Sequence, residues 1–426
     1  MEFKKYKIEE IGEVIGGGTP STKKSEYYGG NIPWITPKDL SNFKEVFISE
    51  GERNITEEGL KNSSARTLPS NTVLMTSRAP IGYLAIAKNE VTTNQGFKSI
   101  ICNESLVKPL FLYYSLKNDM DKIKSLGTGS TFSEISGKVV KNIEINLPSI
   151  EYQTIIEYIL GNFDKKIELN QKIIANLEEL SQTLFKRWFV DFEFPDENGN
   201  PYKSSGGEMV DSELGMIPKG WEIITINDFA NNNVITGKTP STKIKENYSE
   251  TGIPFLTIPD MHNDIFALNT ERYISELGIE KLIKKVLPKN SLSISCIATP
   301  GLVCIIANDT LTNQQINSFT PNKNALYYLY FELKSMKDYI RDLGSGGSAT
   351  LNLNKTQFSK IKLVKPINEI LYKYDKLVSP NFKMILNIQK EIQQLTQLRD
   401  TLLPKLMSGE IEIPDDIEVM EDELSI

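Results

Sequence analysis

LPSIEYQTIIEYILGNFDKKIELNQKIIANLEELSQTLFKRWFV, residues 147–190, is the stretch whose reading decides the fold. Within it Ile156, Leu160, Phe163, Ile167, Asn170, Ile173, Leu177, Leu180 and Leu184 recur at alternating steps of three and four. That spacing puts them on one stripe of a helix made to pack lengthwise against another helix. The partner lies in the same chain. Between Pro366 and Ser408 the pattern returns as Leu371, Tyr374, Val378, Ile385, Ile388, Ile392, Leu395, Leu402 and Leu406. Pro148 and Pro366, Ile167 and Ile385, Leu177 and Leu395, and Leu184 and Leu402 each stand 218 residues apart. Asn170, polar on an apolar seam, either sets the register of the pair or is merely tolerated; Ile388 takes its place in the second arm. Gly161-Asn162 predicts a break in the first arm. Ser379-Pro380, an N-cap followed by a proline suited to a first helical position, predicts one in the second. Each arm would then hold an unbroken helix of about 29 residues, roughly 43 Å long.

Outward from these arms the chain reads as two globular units. The first, residues 1–147, carries Thr19-Pro20-Ser21-Thr22-Lys23 after a glycine turn. It continues with Asn31–Ile35, whose Pro33 predicts an edge strand, a turn at Leu68–Asn71, and strands at Thr72–Thr76 and Tyr83–Ala87. A helix is predicted from Pro109 to Ser125, stopped by the glycine-rich segment from Gly127. The second unit, residues 216–365, repeats this order: Thr239-Pro240-Ser241-Thr242-Lys243, Ile253–Thr257, Leu287–Asn290, Thr312-Asn313-Gln314 and a helix from Asn324 to Leu343. Collinear matches at a constant offset signal a duplication. The chain thus divides into a first unit (1–147), a first helical spacer (148–190), an acidic loop linker without periodicity (191–215), a second unit (216–365), a second spacer (366–411) and an acidic tail (412–426) expected to be disordered. The fold class is α+β: two repeated α/β units joined by two long helices packed as an antiparallel coiled coil.

The net charge of −7 argues at first against a nucleic-acid binder, yet the acids are concentrated. Residues 412–426 hold seven acids and no base, and residues 191–215 hold seven acids against Lys203. The remaining body is therefore mildly basic, which DNA binding tolerates. Three cysteines, Cys102, Cys296 and Cys304, suit a reducing compartment and buried inert thiols. The first residues read as no signal peptide, and no apolar run is long enough to span a membrane. One histidine, His262, excludes histidine-based triads and multi-histidine metal sites. No phosphate loop of P-loop or Rossmann spacing is present. No catalytic, cofactor-binding or metal-binding residue is assigned.

Two divergent units, two matching spacers and no catalytic centre form a specific combination. It resembles the specificity subunit of type I restriction–modification enzymes, over nearly the whole chain. The resemblance is carried by the Thr-Pro-Ser-Thr-Lys segments, Asn94-Gln95 and Asn313-Gln314, and the Gly/Ser loops before each spacer. Further signposts are Leu147-Pro148 with Glu151 and Gln153, Phe192–Pro195 followed by Tyr202–Met209, Ile217–Glu222, and Leu402–Ile411. The second spacer departs from the pattern, with Ile367-Asn368-Glu369 in place of the Glu-x-Gln signature.

The resemblance implies a non-catalytic subunit in which each unit is a target recognition domain reading half of a split DNA site. The paired helices would act as a ruler and dock two modification (methyltransferase) subunits. Restriction (endonuclease/translocase) subunits would join them. S-adenosylmethionine would belong to the modification subunits, ATP and Mg2+ to the restriction subunits, and no cofactor to this chain. The location implied is the bacterial or archaeal cytoplasm. A helix of this length also has the scale of half-sites one DNA turn apart, about 34–36 Å. Because the units differ, the full site should be asymmetric.

Polar residues on loops that both units share are the candidates for DNA contact. In the first unit they are Thr19, Ser21, Thr22, Lys23, Lys24, Arg78, Asn94, Gln95, Lys98, Thr128, Ser130 and Thr131. In the second they are Thr239, Ser241, Thr242, Lys243, Lys245, Asn313, Gln314, Gln315, Ser345 and Ser348. Such residues also serve as turn formers and caps, and residues common to both units cannot explain different sequence preferences. The base readers are therefore expected in divergent parts such as 40–66 and 262–285. Two other functions stay open at this stage: the recognition part of a fused methyltransferase or nuclease, and a protein-binding scaffold.

Overall fold

A computed structural model describes residues 2–128, 133–262, 264–345, 352–411 and 413. The tail beyond Ile413 lies outside the described residues. The chain forms two compact units, Met1–Leu169 with Gln393–Ile426, and Asn170–Ile392. Each unit therefore takes one part of each spacer helix, a division that the linear boundaries do not anticipate.

The first unit is built on a five-stranded sheet in the order Gly12–Gly16, Lys98–Cys102, Val73–Ser77, Ile81–Ala87, Phe47–Ile48. Val73–Ser77 is buried along its whole length, as a continuous apolar and β-branched run at a sheet centre requires. Asn71 enters it through a left-handed turn at φ 65°. A smaller sheet runs Arg53–Ile55, Tyr28–Ile35, Thr92–Thr93. Tyr28–Ile35 is thus the middle strand, not the edge strand its proline predicted. Pro33 stands opposite Asn54, and its carbonyl takes the Thr92 hydroxyl at 2.8 Å, so the missing N–H is the only loss. Lys4–Lys7 pairs with Glu144–Leu147 to close the unit. The single helix expected from Pro109 divides into Pro109–Asn118 and Met120–Ser125, jointed at Asp119.

The second unit repeats the plan. Its five-stranded sheet runs Ile235–Thr236, Ile316–Phe319, Leu292–Ser295, Val303–Ile306, Phe266–Ala267. Glu222–Thr225 pairs with Lys362–Lys365 as the closing ribbon. The linker is not loop throughout: Met209–Ser212 pairs with Gly215–Pro218, Phe194 stacks on Tyr202 at 4.6 Å, and the Tyr202 hydroxyl donates to the Glu208 carbonyl. Aromatic stacking and one hairpin overcome the polar composition of this segment.

Neither spacer breaks where punctuation placed the break. The first helix runs Ile150–Phe185 and continues as a π segment, Lys186–Val190; the second runs Asn368–Ser408. An interior proline costs about 3 kcal/mol. Around Pro380 the buried Tyr374, Val378, Phe382 and Ile385 offset it, at roughly 1.5–3 kcal/mol for each fully buried apolar side chain. Gly161 costs only about 1 kcal/mol in a helix, between the buried Leu160 and the partly buried Phe163. The seam also drifts. Ile156, Ile167, Asn170, Ile385 and Ile388 are buried, and Phe163, Leu177, Leu184, Ile392, Leu395 and Leu402 are partly buried, but Leu180 is 61 % exposed while Ser181 and Phe185 turn inward. A straight helix precesses about 20° per heptad relative to a strict seven-residue repeat.

Within each unit the two helix segments run antiparallel. In the first, Arg399 Nη1 lies 2.5 Å from Asp164 Oδ1 and the Tyr152 hydroxyl donates to the Ile411 carbonyl. In the second, Asn170 donates to Glu391 at 2.9 Å, and Asn381 and Tyr374 both donate to Ser181. Asn170 is buried on the seam with its amide engaged.

The helices are joined to the α/β bodies of their units by specific contacts. Gln153, fully buried, accepts from the Lys108 N–H and donates to the carbonyls of Leu106 and Pro148. Glu157 accepts from the Phe111 N–H at 2.9 Å, at the start of helix Pro109–Asn118. Of the signature Glu151-x-Gln153, Gln153 enters this joint while Glu151 stays exposed; Gln153 and Glu157 close backbone groups that a helix start leaves open. In the second unit Leu371 occupies the place of Gln153, and an apolar cluster of Phe185, Trp188, Phe189, Tyr328 and Tyr374 forms the joint instead.

Candidate nucleic-acid interface

The shared loops converge. In the first unit the Gly18 N–H donates to the Thr93 carbonyl (2.9 Å), the Ser77 N–H to Gly96 (2.7 Å) and the Ile135 N–H to Ser77 (2.9 Å). In the second unit the Lys238 N–H donates to Thr312, the Cys296 N–H to Gln315 and the Leu353 N–H to Cys296, each at 2.9 Å. The same three backbone bonds thus tie four loops into one platform in both units. Glycine makes the closest approach possible. A Cβ on Gly17 would lie 1.9 Å from the Asn94 carbonyl oxygen, and one on Gly237 2.2 Å from that of Asn313.

Several shared motifs prove to be the fastenings of this platform. The Pro20 carbonyl accepts from the Tyr28 hydroxyl at 2.7 Å and the Pro240 carbonyl from Tyr248 at 2.9 Å. Asn94 accepts from the Gly96 N–H and Asn313 from the Gln315 N–H, the turn typical of asparagine. Gln315 accepts from the Asn313 amide, and Thr239 donates to Gln314 at 2.6 Å. The Thr19 hydroxyl is buried with no partner among the described residues. Lys24 reaches the Tyr27 hydroxyl at 2.8 Å.

The exposed residues of the platform are Ser21, Thr22, Lys23, Lys24, Gln95 and Thr128 in the first unit. In the second they are Ser241, Thr242, Lys243, Lys245, Gln314 and Ser345. Ser130, Thr131 and Ser348 lie outside the described residues. Arg78 and Lys98 face Glu134, at 3.5 and 4.0 Å.

A further cationic pair, outside the shared motifs, flanks these loops. The exposed Arg53 stacks over the Tyr28 ring at 4.4 Å, beside the Thr-Pro loop that Tyr28 holds. Arg272 lies 6.0 Å from the Tyr248 ring and 5.4 Å from that of Phe255. The signal was present, since the two arginines stand 219 residues apart in otherwise divergent sequence.

No group of three or more His, Cys, Asp or Glu among the described residues is placed to hold a metal. Burial pushes the Cys102 thiol up to about 12 and the Cys296 thiol to about 11, so neither is a thiolate nucleophile near neutrality. No helix among the described residues is long and apolar enough to cross a membrane.

Comparison with known proteins fits this duplicated plan. The profile of the type I restriction modification DNA specificity domain matches residues 1–179 and 218–399. The chain belongs to this family. As a specificity subunit it is a DNA-recognition component of a type I restriction–modification system and is not itself an enzyme. It is similar to the MjaIX specificity subunit of Methanocaldococcus jannaschii, 38 % identical over 419 residues that cover 96 % of this chain and 93 % of the relative. The HindI specificity subunit of Haemophilus influenzae is 36 % identical over 370 residues, covering 74 % of this chain and 80 % of that one. A crystal structure of a type I system S subunit from M. genitalium shares the fold, with a TM-score of 0.58 at 18 % identity over 98 % of this chain and 97 % of that one.

Proposed function

We propose that each unit of this specificity subunit reads one half of a split, asymmetric DNA site and that the complex carries two modification subunits. The observation that carries the reading is the duplicated loop platform, one backbone frame bearing different side chains in each unit. Residues common to both platforms suit the sugar-phosphate chain, which has the same chemistry at every site. Arg53, Arg272, Lys23 and Lys243 are of this kind. Residues that differ suit base edges. Two units of one plan also offer equivalent faces to two copies of a partner. The spacer helices keep large apolar side chains in solvent, among them Leu180, Met384 and Leu398, which suits docking of protein subunits there. Methyl transfer with S-adenosylmethionine would reside in the modification subunits, and ATP- and Mg2+-dependent cleavage in restriction subunits, inside the cell.

The test is base-resolution mapping of methylated DNA in cells expressing the full chain with its modification subunits. A split motif, altered in one half only when residues 1–147 are exchanged for those of a relative, supports the reading. A motif indifferent to that exchange refutes it.

A further inference from the structure

The two platforms share their frame, so the places where their side chains differ are where different half-sites must be distinguished. One such place stands out chemically. In the first unit Arg78 bridges to Glu134, and in the second Ile297 bridges to Asn352. Lys98, opposite Gly16 in the first unit, corresponds by register to Asn317, opposite Thr236 in the second. A charged trio of Arg78, Glu134 and Lys98 is thus replaced by an apolar residue and two neutral amides. Asn317 is buried and committed inward, donating to Cys296 Sγ at 3.2 Å and accepting from the Thr236 hydroxyl at 2.6 Å. In the first unit Lys98 is likewise mostly covered, at 18 % exposure, but the Arg78 side chain is 37 % and Glu134 40 % exposed.

We propose that Arg78, braced by Glu134, reads a guanine in the half-site recognised by the first unit. The assignment rests on the reading of each unit as a half-site reader. Glu134 Oε2 lies 3.5 Å from Nη1 of Arg78 and engages one corner of the guanidinium. A guanidinium has five donors in a planar fork, so a two-donor edge remains for the O6 and N7 of guanine. Lys98, 4.0 Å from the other carboxylate oxygen, keeps the trio net positive. Glu134 is a positioning residue, acting through Arg78. Ile297 cannot make this contact, which gives the two half-sites different requirements at one position.

The test uses the full chain assembled with its modification subunits. Methylation is mapped for the wild type and for R78Q, R78K and E134Q, and methyl-transfer rates are measured on duplexes with each base pair at the position affected. R78Q should lower discrimination at one G·C pair in the first half by about 5- to 150-fold and leave the second half unchanged. R78K keeps the charge but not the fork, so it should bind DNA with nearly wild-type salt dependence and still lose the preference. E134Q should weaken the preference less. Thermal melting shows whether the frame persists in each variant. A folded R78Q complex with an intact motif overturns the assignment, as does a first half-site without guanine or a uniform loss across both halves. A wild-type complex with no split site overturns the underlying reading and this assignment with it, whereas the other outcomes leave that reading standing.

Discussion

Replacing Glu157 by glutamine should stabilise the protein at pH 8 and leave it nearly unchanged at pH 5. Glu157 is 8 % exposed and accepts the Phe111 N–H at the joint between the first spacer helix and its recognition sheet. Burial pushes its carboxyl from 4.5 up to about 7, against the opposing pull of the Phe111 and Leu110 N–H groups and Lys108. A raised carboxyl pKa means that the folded state holds its proton more tightly than the unfolded chain. Stability is therefore fully present below about pH 4.5 and declines as pH rises toward 7. The whole decline is on the order of 3 kcal/mol, at 1.36 kcal/mol per pKa unit. Glutamine carries no ionisation cost, and its oxygen still accepts from Phe111. It leaves the Leu110 N–H without an acceptor, at about 1 kcal/mol. By pH 5 the wild type has already lost about 0.7 kcal/mol, because the unfolded carboxyl is mostly ionised there, so the variant should be nearly neutral at pH 5 and gain about 2 kcal/mol at pH 8. Denaturant unfolding of the full chain at both pH values measures this, as the difference between variant and wild type. That difference matters because burial also raises Glu332 to about 7, and its contribution cancels. An equal effect of E157Q at both pH values refutes the reasoning.

Three further outcomes are expected. R399A leaves the partly buried Asp164 facing the Tyr114 hydroxyl, 2.6 Å away, without its cation and should cost about 2–3 kcal/mol in denaturant unfolding; a loss under about 1 kcal/mol contradicts the role of the pair. R53Q and R272Q should each lower the slope of log affinity against log salt by about 0.9, with the methylated motif unchanged in both halves. G17A and G237A force a Cβ against a backbone carbonyl, so each should abolish recognition of one half-site while the thermal transition of the other unit persists.

The duplication and the two helical arms were legible in the sequence, because each rests on periodicity or on matches at a constant offset along the chain. The loops Thr19–Lys24 and Asn94–Lys98 could be singled out by their repetition at a constant offset. Their roles could not be read that way. Pro20, Asn94 and Gly17 recur because they fasten loops through backbone groups, a need no pattern of side chains announces. Local punctuation also misled at Gly161 and Pro380, where burial on both sides of the helix outweighs the local cost. Only the tertiary structure set Arg78 beside Glu134, 56 positions away, and matched that place to Ile297 and Asn352. The sequence alone determined that there are two units of one design. What each reads depends on side chains brought together across the sheet and its loops, and that proximity exists only once the chain has folded.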